Sequence, residues 1–228
     1  MKNKPLTISL TLVSLTIAFL GLFTACNGNG DPMKTVSGSG NVITEERPVS
    51  GFTAVLLQGV GQVVIDQTDK ESLSITADDN LLPYIKTSVQ EDKLIISVKG
   101  NTLLNNVTEL TYHVTVESID SVELDGAGSI EVSHLDTDDF QVNLNGAGNI
   151  AVFGRADKQT VEIDGAGTYN AEDLVSQEAT VRHRGAGVAV VNVSDQLDVR
   201  IDGLGTVDYI GDPDVTQKIN GPGAVQQR

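Results

Sequence analysis

The chain has 228 residues, with 31 acidic against 15 basic side chains, one cysteine and no tryptophan. This length suits one modest domain, and a net charge of −16 argues against a basic nucleic-acid-binding surface. A single cysteine excludes an intramolecular disulfide and a multi-cysteine metal site.

The amino terminus has the pattern of an export signal. Lys2 and Lys4 precede an uncharged apolar run, which ends in small residues just before Cys26. A cysteine in this position is typical of a bacterial lipobox, although Phe23 stands where leucine is usual. We therefore predict a lipoprotein signal peptide over residues 1–25 and a lipid on Cys26. An uncleaved membrane anchor and an ordinary signal peptide are the alternatives.

Cleavage before Cys26 would leave 13 basic against 31 acidic residues, a net charge of −18. Such a domain would repel nucleic acid and anionic lipid surfaces. Residues 26–36 contain Gly, Asn and Pro and are predicted to form a flexible tether. The domain would be exported and held by its lipid at the cell envelope, with the outer membrane as the expected site.

Residues 37–120 are predicted to form an irregular β region. Val55 and Leu57 precede a Gly-x-Gly motif, and Val63 and Ile65 follow it with the same alternation. Gly38-Ser39-Gly40 has the spacing of an earlier copy. After residue 66 the motif lapses, and apolar alternation favours strands near residues 73–76, 94–98 and 111–116, with one helical turn near 79–83.

Residues 121–228 repeat one motif at intervals of 18 to 20 residues. Apolar residues stand two and four positions before nearly every Gly-x-Gly and two positions after it, with His183 and Gln217 as the exceptions, so they share one face of a period-2 pattern with the glycines. The glycines predicted to form the structural repeat, including the early copy, are Gly59, Gly61, Gly126, Gly128, Gly146, Gly148, Gly165, Gly167, Gly185, Gly187, Gly203, Gly205, Gly221 and Gly223.

Repeats of this length cannot bury an apolar face alone, but they can stack into a parallel β-solenoid. Glycine inside a strand pattern is costly unless the chain bends or the backbone is approached closely. We therefore expect each repeat to contain two short strands and a glycine corner with no interior space for a Cβ. A β-propeller blade would need about 40 residues, and the spacing of a leucine-rich repeat is missing. The predicted fold class is all-β, a parallel β-solenoid with an irregular N-terminal region.

One polar position recurs directly before each Gly-x-Gly and invites a calcium hypothesis. Coils that stack about 4.8 Å apart would put the nearest aspartates of this column two coils apart, too far to share one ion. We expect these residues to cap the corner, and we predict no metal site and no cofactor. The column is Asp125, Asn145, Asp164, Arg184, Asp202 and Asn220.

Two further features are candidates for chemistry. His183 interrupts a row of inward Leu and Ile residues and is more often a neutral core histidine than a site residue. Asp138 and Asp139 form an acidic pair of the kind found in carbohydrate-active β-helices, although such pairs beside turns are usually solvated. We predict no catalytic residue and no enzymatic activity.

The repeated motifs LDGAGSI, LNGAGNI, IDGAGTY, HRGAGVA and IDGLGTV, with the earlier FTAVLLQGVGQVVI, carry a family resemblance. From about Ser37 to Arg228 the sequence resembles the head GIN domain of autotransporter-adhesin type found on bacterial lipoproteins. The resemblance implies a right-handed β-helix at the envelope, and it supplies no catalytic or binding residues.

The resulting functional hypothesis is a non-catalytic, adhesin-like domain that binds an extracellular glycan or protein, with outward residues such as Glu123, Glu162 and Arg182 as contacts. The alternatives are a structural or envelope-stress scaffold and, less favoured, a polysaccharide-active enzyme. Self-association is left open. The last coil replaces inward valine with polar residues, as a terminal repeat should, and we expect no long helix after it.

Overall fold

A computed structural model describes residues 33–228. The predicted signal peptide, Cys26 and the tether up to residue 32 lie outside the described residues. Among the described residues, the structure contains no helix with the length and apolar character needed to cross a membrane. Lys34–Ser37 form a strand, so the predicted tether ends before Lys34.

The described residues form strands and one short 3-10 turn. The strands are β1 (Lys34–Ser37), β2 (Val42–Arg47), β3 (Ala54–Gln58), β4 (Val60–Gln67), β5 (Ser72–Asp78), β6 (Ile85–Gln90), β7 (Lys93–Val98), β8 (Thr102–Asn105), β9 (Leu110–Val116), β10 (Ser121–Leu124), β11 (Ala127–Leu144), β12 (Ala147–Ile163), β13 (Ala166–His183), β14 (Ala186–Ile201), β15 (Thr206–Ile210), β16 (Asp214–Ile219) and β17 (Ala224–Gln227). The 3-10 turn spans Leu82–Tyr84 and overlaps the helical turn predicted near residues 79–83.

Four long strands, β11 to β14, make up the regular part of the molecule. Each runs from one Gly-x-Gly motif to the next, for 16 to 18 residues, and β11 to β14 pair in parallel in sequence order. This arrangement is a parallel β-solenoid and confirms the predicted fold class. The expectation of two short strands per repeat is wrong, because the ladder continues around the other bends of each coil.

The differing lengths of the repeats are absorbed at one of these bends. Val132 pairs with Val152, twenty residues later, whereas Leu135 pairs with Gly154, nineteen residues later. The register shifts again at the corresponding bend of the next two coils. Such bulges let one strand carry an extra residue. They therefore keep the glycine corners aligned although the repeats differ in length.

The Gly-x-Gly corners of successive coils lie directly against one another. Gly128 pairs with Gly148, and the Ala147 N–H donates to the Gly126 carbonyl oxygen at 2.9 Å. A Cβ on Gly146 would overlap the backbone of Gly126. The first glycine of the motif is therefore required by the backbone of the neighbouring coil, and not by the interior of its own coil as the sequence suggested.

The second glycine of the motif lies against both the backbone and an inward leucine of the preceding coil, since a Cβ on Gly148 would overlap the Gly128 carbonyl oxygen. A Cβ on Gly128 would lie 3.0 Å from Leu57 Cδ2, and one on Gly148 would lie 2.8 Å from Leu124 Cδ2. Each of these leucines belongs to the preceding coil. Both glycines are thus required by the backbone of the preceding coil, and the second also leaves room for the inward leucine.

The core consists of inward rows that run the length of the solenoid. Their members are fully buried in the regular coils. Burial of each large apolar side chain stabilises the folded state by about 1.5 to 3 kcal/mol. The principal rows are Val122, Val142, Val161, Val181 and Val199; Leu124, Leu144, Ile163, His183 and Ile201; and Ile130, Ile150, Tyr169, Ala189 and Val207.

Antiparallel strands close the N-terminal end of the solenoid. On one side β7 continues the parallel ladder beyond β3, and β6 folds back on it. On the other side β9 pairs in parallel with β4, and β5 and then β2 follow antiparallel. β1 and β8 form a separate parallel pair. The strands predicted in the irregular region correspond to β5, β7 and β9.

Gly38-Ser39-Gly40 is not an early copy of the stacked motif. The Gly40 N–H donates to Asp78 Oδ1 at 2.6 Å, and a Cβ on Gly38 would meet the Asn106 carbonyl oxygen and Asp78 instead of a neighbouring glycine. The buried Asp78 carboxylate also accepts the Thr108 N–H at 2.8 Å. This bond, together with that from Gly40, holds the pKa of Asp78 below its usual range. The segment is therefore a clamp that fastens the start of the domain.

Candidate functional site

One regular surface is the side formed by the strand segments that precede each Gly-x-Gly motif, which we call the front face. It comprises β7, β3, β10, the C-terminal parts of β11 to β14, and β16, all joined in one parallel ladder. Neighbouring strands in a sheet lie about 4.8 Å apart. Outward side chains at equivalent positions therefore form straight rows, and three rows cross this face.

The middle row is mostly charged, and most of its charged members pair within the row, with the second row or with β7. Arg182 Nη1 donates to Glu162 Oε1 at 3.0 Å, and Lys93 Nζ donates to Glu123 Oε2 at 2.9 Å. Glu123, Glu162 and Arg182 were the contact residues expected from the sequence, and the structure shows that they contact neighbouring coils. Exposed ion pairs stabilise the fold by only about 0 to 1 kcal/mol each. The paired side chains are nevertheless less available to contact another molecule. The row is Glu123, Asn143, Glu162, Arg182, Arg200 and Lys218.

The second row is the column that directly precedes the glycines. Arg184 donates two hydrogen bonds to the Asp164 carboxylate and thereby holds the pKa of Asp164 below its usual range. Asp202 accepts from Arg200 Nε at 2.6 Å and from Asn220 Nδ2 at 2.6 Å, which lowers its pKa in the same way. Arginine and amide donors thus bind the carboxylate oxygens that a cation would need as ligands. Among the described residues, no three His, Cys, Asp or Glu side chains are grouped to hold a metal ion.

The third row, which we call the polar row, differs because its described side chains form no contacts of this kind with the rest of the protein. In the part of the chain that the structure describes, none of them has a side-chain hydrogen bond or an ion pair. Hydroxyl and amide groups both donate and accept hydrogen bonds, so each member presents an open partner position to the solvent. The row is Ser121, Gln141, Thr160, Thr180, Asp198 and Thr216.

A shallow depression adjoins the N-terminal end of the polar row. It has a volume of about 500 Å³ and is lined by Ser121 and Gln141 of the row and by Thr137 beside the acidic pair. Asp138 and Asp139, which the sequence offered as catalytic candidates, share this depression with Asp120. The depression therefore combines carboxylate acceptors with hydroxyl and amide groups.

His183 does not belong to any surface site. The ring is fully buried, Nδ1 accepts the Gly185 N–H at 3.3 Å, and Nε2 has no partner. A Cβ on Gly205 would lie 2.5 Å from the ring. The imidazole therefore fits because the following coil has a glycine at this position. Burial lowers the pKa of His183, and the residue is a neutral core histidine.

Sequence reasoning missed a polar network buried in the core. Tyr169 Oη donates to Gln159 Oε1 at 3.0 Å, Gln159 Nε2 donates to Ser176 Oγ at 2.7 Å, and Ser176 Oγ donates to the Asn192 carbonyl at 2.8 Å. The available signal was a glutamine at the position that Phe140 fills one coil earlier. Because every member is satisfied, the network is structural.

The fold and its faces define a parallel β-solenoid domain with an extended polar surface. Residues 51–213 match the family described as "Putative auto-transporter adhesin, head GIN domain". The chain belongs to this family.

Several solved bacterial structures resemble this chain. A "putative adhesin" from Bacteroides fragilis NCTC 9343 is 19% identical, with a TM-score of 0.70 over 85% of this chain and 100% of its own. A "putative adhesin" from Parabacteroides merdae ATCC 43184 is 21% identical, with a TM-score of 0.57 over 86% of this chain and 99% of its own. A "Putative lipid binding protein" from Parabacteroides distasonis ATCC 8503 is 21% identical, with a TM-score of 0.54 over 86% of this chain and 100% of its own. At these identities the likeness establishes a shared fold. No curated protein matches the chain.

Proposed function

We propose that this chain is a lipid-anchored protein of the cell envelope whose solenoid binds an extended neutral glycan along the polar row. The single observation that carries this proposal is a straight row of unpaired hydroxyl, amide and carboxylate side chains, one per coil. A polymer with a regular repeat can make the same contact at each coil. Each net hydrogen bond contributes about 0.5 to 1.5 kcal/mol, so several in series give a specific interaction.

The charge of the domain favours a neutral partner. The chain has 31 acidic and 15 basic residues, and the basic residues of the front face are largely engaged by carboxylates. A polyanionic glycan would meet this negative field and gain few free cations. A neutral glycan offers hydroxyl groups, which match Thr, Gln and Asp side chains. Membership of an adhesin-type family supports a binding role of this kind.

The membrane anchor is the second part of the proposal. A lipid on Cys26 would tether the domain, since two acyl chains give stable membrane binding where one is marginal. Labelling of cells with a radioactive fatty acid should mark the full chain and leave Cys26→Ser unlabelled. Protease treatment of intact cells then shows whether the domain faces the outside. Labelling of the Cys26→Ser variant would contradict the anchor.

The glycan contact is tested on an array of neutral and acidic polysaccharides with the full chain in a mild detergent. Thr160→Val and Thr180→Val keep side-chain shape and remove the hydroxyl, so the double variant should bind the neutral glycan about tenfold more weakly. Thr168→Val is the matched control, because Thr168 is also half-buried and lies on the strand segment after the Gly-x-Gly motif. Equal binding by the double variant and the control, or a preference for acidic glycans, would contradict the proposed surface.

The acidic depression favours one alternative, a polysaccharide-active enzyme. If Asp120, Asp138 and Asp139 acted on a bound glycan, incubation would shorten the polysaccharide and Asp138→Asn with Asp139→Asn would abolish this turnover. Binding without turnover is the result that the proposed function predicts. If the domain binds no external molecule, the result would favour the structural or envelope-stress scaffold.

A further inference from the structure

A second depression lies on the front face, at the N-terminal end of the solenoid. It has a volume of about 360 Å³ and is lined by side chains of β3, β6, β7 and the turn that joins β6 to β7, namely Leu56, Gln90, Glu91, Lys93 and Ile95. This volume is near the lower limit for small-molecule sites, which is about 300 Å³. The depression is therefore suited to a single sugar residue rather than to a long oligosaccharide.

The floor of this depression is apolar. Leu56 and Ile95 are register partners on the neighbouring strands β3 and β7, and Leu56 is in turn the register partner of Glu123 in the middle row. The two apolar residues therefore continue a row whose other members are polar or charged. Leu56 is 7% exposed and Ile95 is half-buried, so their side chains form one small apolar surface. Such a surface favours a ligand that carries a methyl group.

The rim of the depression offers hydrogen-bond partners of both kinds. The Lys93 ammonium donates one hydrogen bond to Glu123 Oε2 at 2.9 Å, which leaves two of its three N–H groups. Within the described part of the chain, the Glu91 carboxylate has no side-chain hydrogen bond or ion pair. Gln90 uses only its Nε2 atom, which donates to Ser88 Oγ at 3.3 Å. Open donors and acceptors therefore stand beside the apolar floor.

We infer that this depression, which we call the acetamido pocket, binds an N-acetylhexosamine residue. An acetamido group combines a methyl group, a carbonyl oxygen and an N–H group. The methyl group contacts Leu56 and Ile95, Lys93 donates to the carbonyl oxygen, and Glu91 accepts from the N–H. A plain hexose lacks all three groups, and a free amino sugar brings a positive charge towards Lys93.

The acetamido pocket is continuous with the polar row. Lys93 is the register partner of Ala54, and Ala54 is the register partner of Ser121, the first member of that row. Strands about 4.8 Å apart put Lys93 about 9.6 Å beyond Ser121, and the small Ala54 side chain leaves the path between them open. The choice of a sugar over other acetamido compounds rests on the proposed function, because a glycan lying along the polar row reaches the pocket with one end.

Monosaccharide binding tests the pocket on the full chain in a deuterated detergent. In saturation-transfer NMR, N-acetylglucosamine should receive the most saturation at its acetyl methyl protons. In competition titrations, glucose should bind at least about tenfold more weakly, because it lacks the methyl contact and both hydrogen bonds. Lys93→Met keeps the apolar stem and removes the donors, so it should weaken N-acetylglucosamine binding about tenfold. Lys86→Met is the control, since Lys86 lies on the same hairpin but does not line the pocket.

The apolar floor is tested separately with Ile95→Thr. This variant stays β-branched and replaces part of the apolar side chain with a hydroxyl, so the saturation of the acetyl methyl protons should fall. Ile43→Thr is the matched control, because Ile43 is a 43% exposed isoleucine on β2. Equal affinity for glucose and N-acetylglucosamine, or native binding by Lys93→Met, would overturn the inference.

The acetamido pocket and the polar row fail in different experiments. If the chain binds neutral glycans equally with and without N-acetylhexosamine, and binds no N-acetylglucosamine, the pocket is wrong and the polar row stands. If N-acetylglucosamine binds at the pocket but no polymer binds the chain, the polar row is wrong and the pocket stands. The inference predicts that both bind, with a preference for polymers that contain N-acetylhexosamine.

Discussion

His183 shows how a single polar residue is accommodated in an apolar row. Its neighbours in the row are Ile163 and Ile201, and its Nε2 atom has no hydrogen-bond partner in the described structure. A buried imidazole of this kind is tolerated when neutral, because an uncompensated charge in the core would cost several kcal/mol. The residue is therefore a local source of pH sensitivity in a core that otherwise contains few titratable groups.

We predict that His183 makes the domain less stable as the pH falls below about 6.5. Burial lowers the pKa of His183 in the folded state, so the unfolded chain takes up a proton at a higher pH than the folded chain does. Stability attributable to this residue is complete above the unfolded pKa and declines towards the folded pKa, by at most about 1.4 kcal/mol per pH unit. Urea unfolding of the native chain and of His183→Leu between pH 7.5 and 5 measures the effect.

The leucine variant should lose this part of the pH dependence. The exposed His113 provides the control, and His113→Gln should keep the native profile. Asp78, Asp164 and Asp202 also have lowered pKa values, but their contribution is lost only as the pH falls from about 4 downwards. Parallel profiles for the native chain and His183→Leu would show that the account of this residue is wrong.

At the scale of the elements, the glycine corners hold neighbouring coils together. The sequence could predict that the corners stack, since the motif recurs in one register with apolar residues at fixed positions. It could not show why glycine is needed at the first position, because the obstacle is the backbone of another coil. It also could not show that one strand continues through the remaining bends, since bulges such as that between Val132 and Leu135 have no distinct sequence signal.

We predict that Gly146→Ala lowers the free energy of unfolding by about 3 kcal/mol or more. The new Cβ would overlap the carbonyl of Gly126, and the backbone of the two coils would have to separate there. Ala147→Ser is the matched control, because Ala147 is the exposed middle residue of the same motif and should change stability by less than about 0.5 kcal/mol. Equal unfolding free energies for the two variants, measured in urea, would disprove the close contact.

At the scale of the whole molecule, the regular sequence predicted how the coils stack, whereas the irregular sequence predicted individual strands but not how those strands pair. The repeat, the inward rows and the family resemblance all followed from six motifs in register. The clamp at Asp78, the antiparallel end and the network at Gln159 depend on contacts between segments that share no pattern. The candidate surface lies between these cases. The repeat register predicts that outward residues form rows. It does not predict that Glu162 pairs with Arg182, which leaves the polar row as the one without partners.

The central claim is that each coil is hydrogen-bonded through its glycine corner to the coil before it. Scalar couplings across hydrogen bonds, measured by NMR on the deuterated chain, report such bonds one at a time. The structure predicts couplings from the amide nitrogens of Ala147, Ala166 and Ala186 to the carbonyl carbons of Gly126, Gly146 and Gly165, respectively, since these N···O distances are 2.9, 3.0 and 3.1 Å. Couplings that join residues of a single coil, or none between these alanines and glycines, would contradict the stacked solenoid.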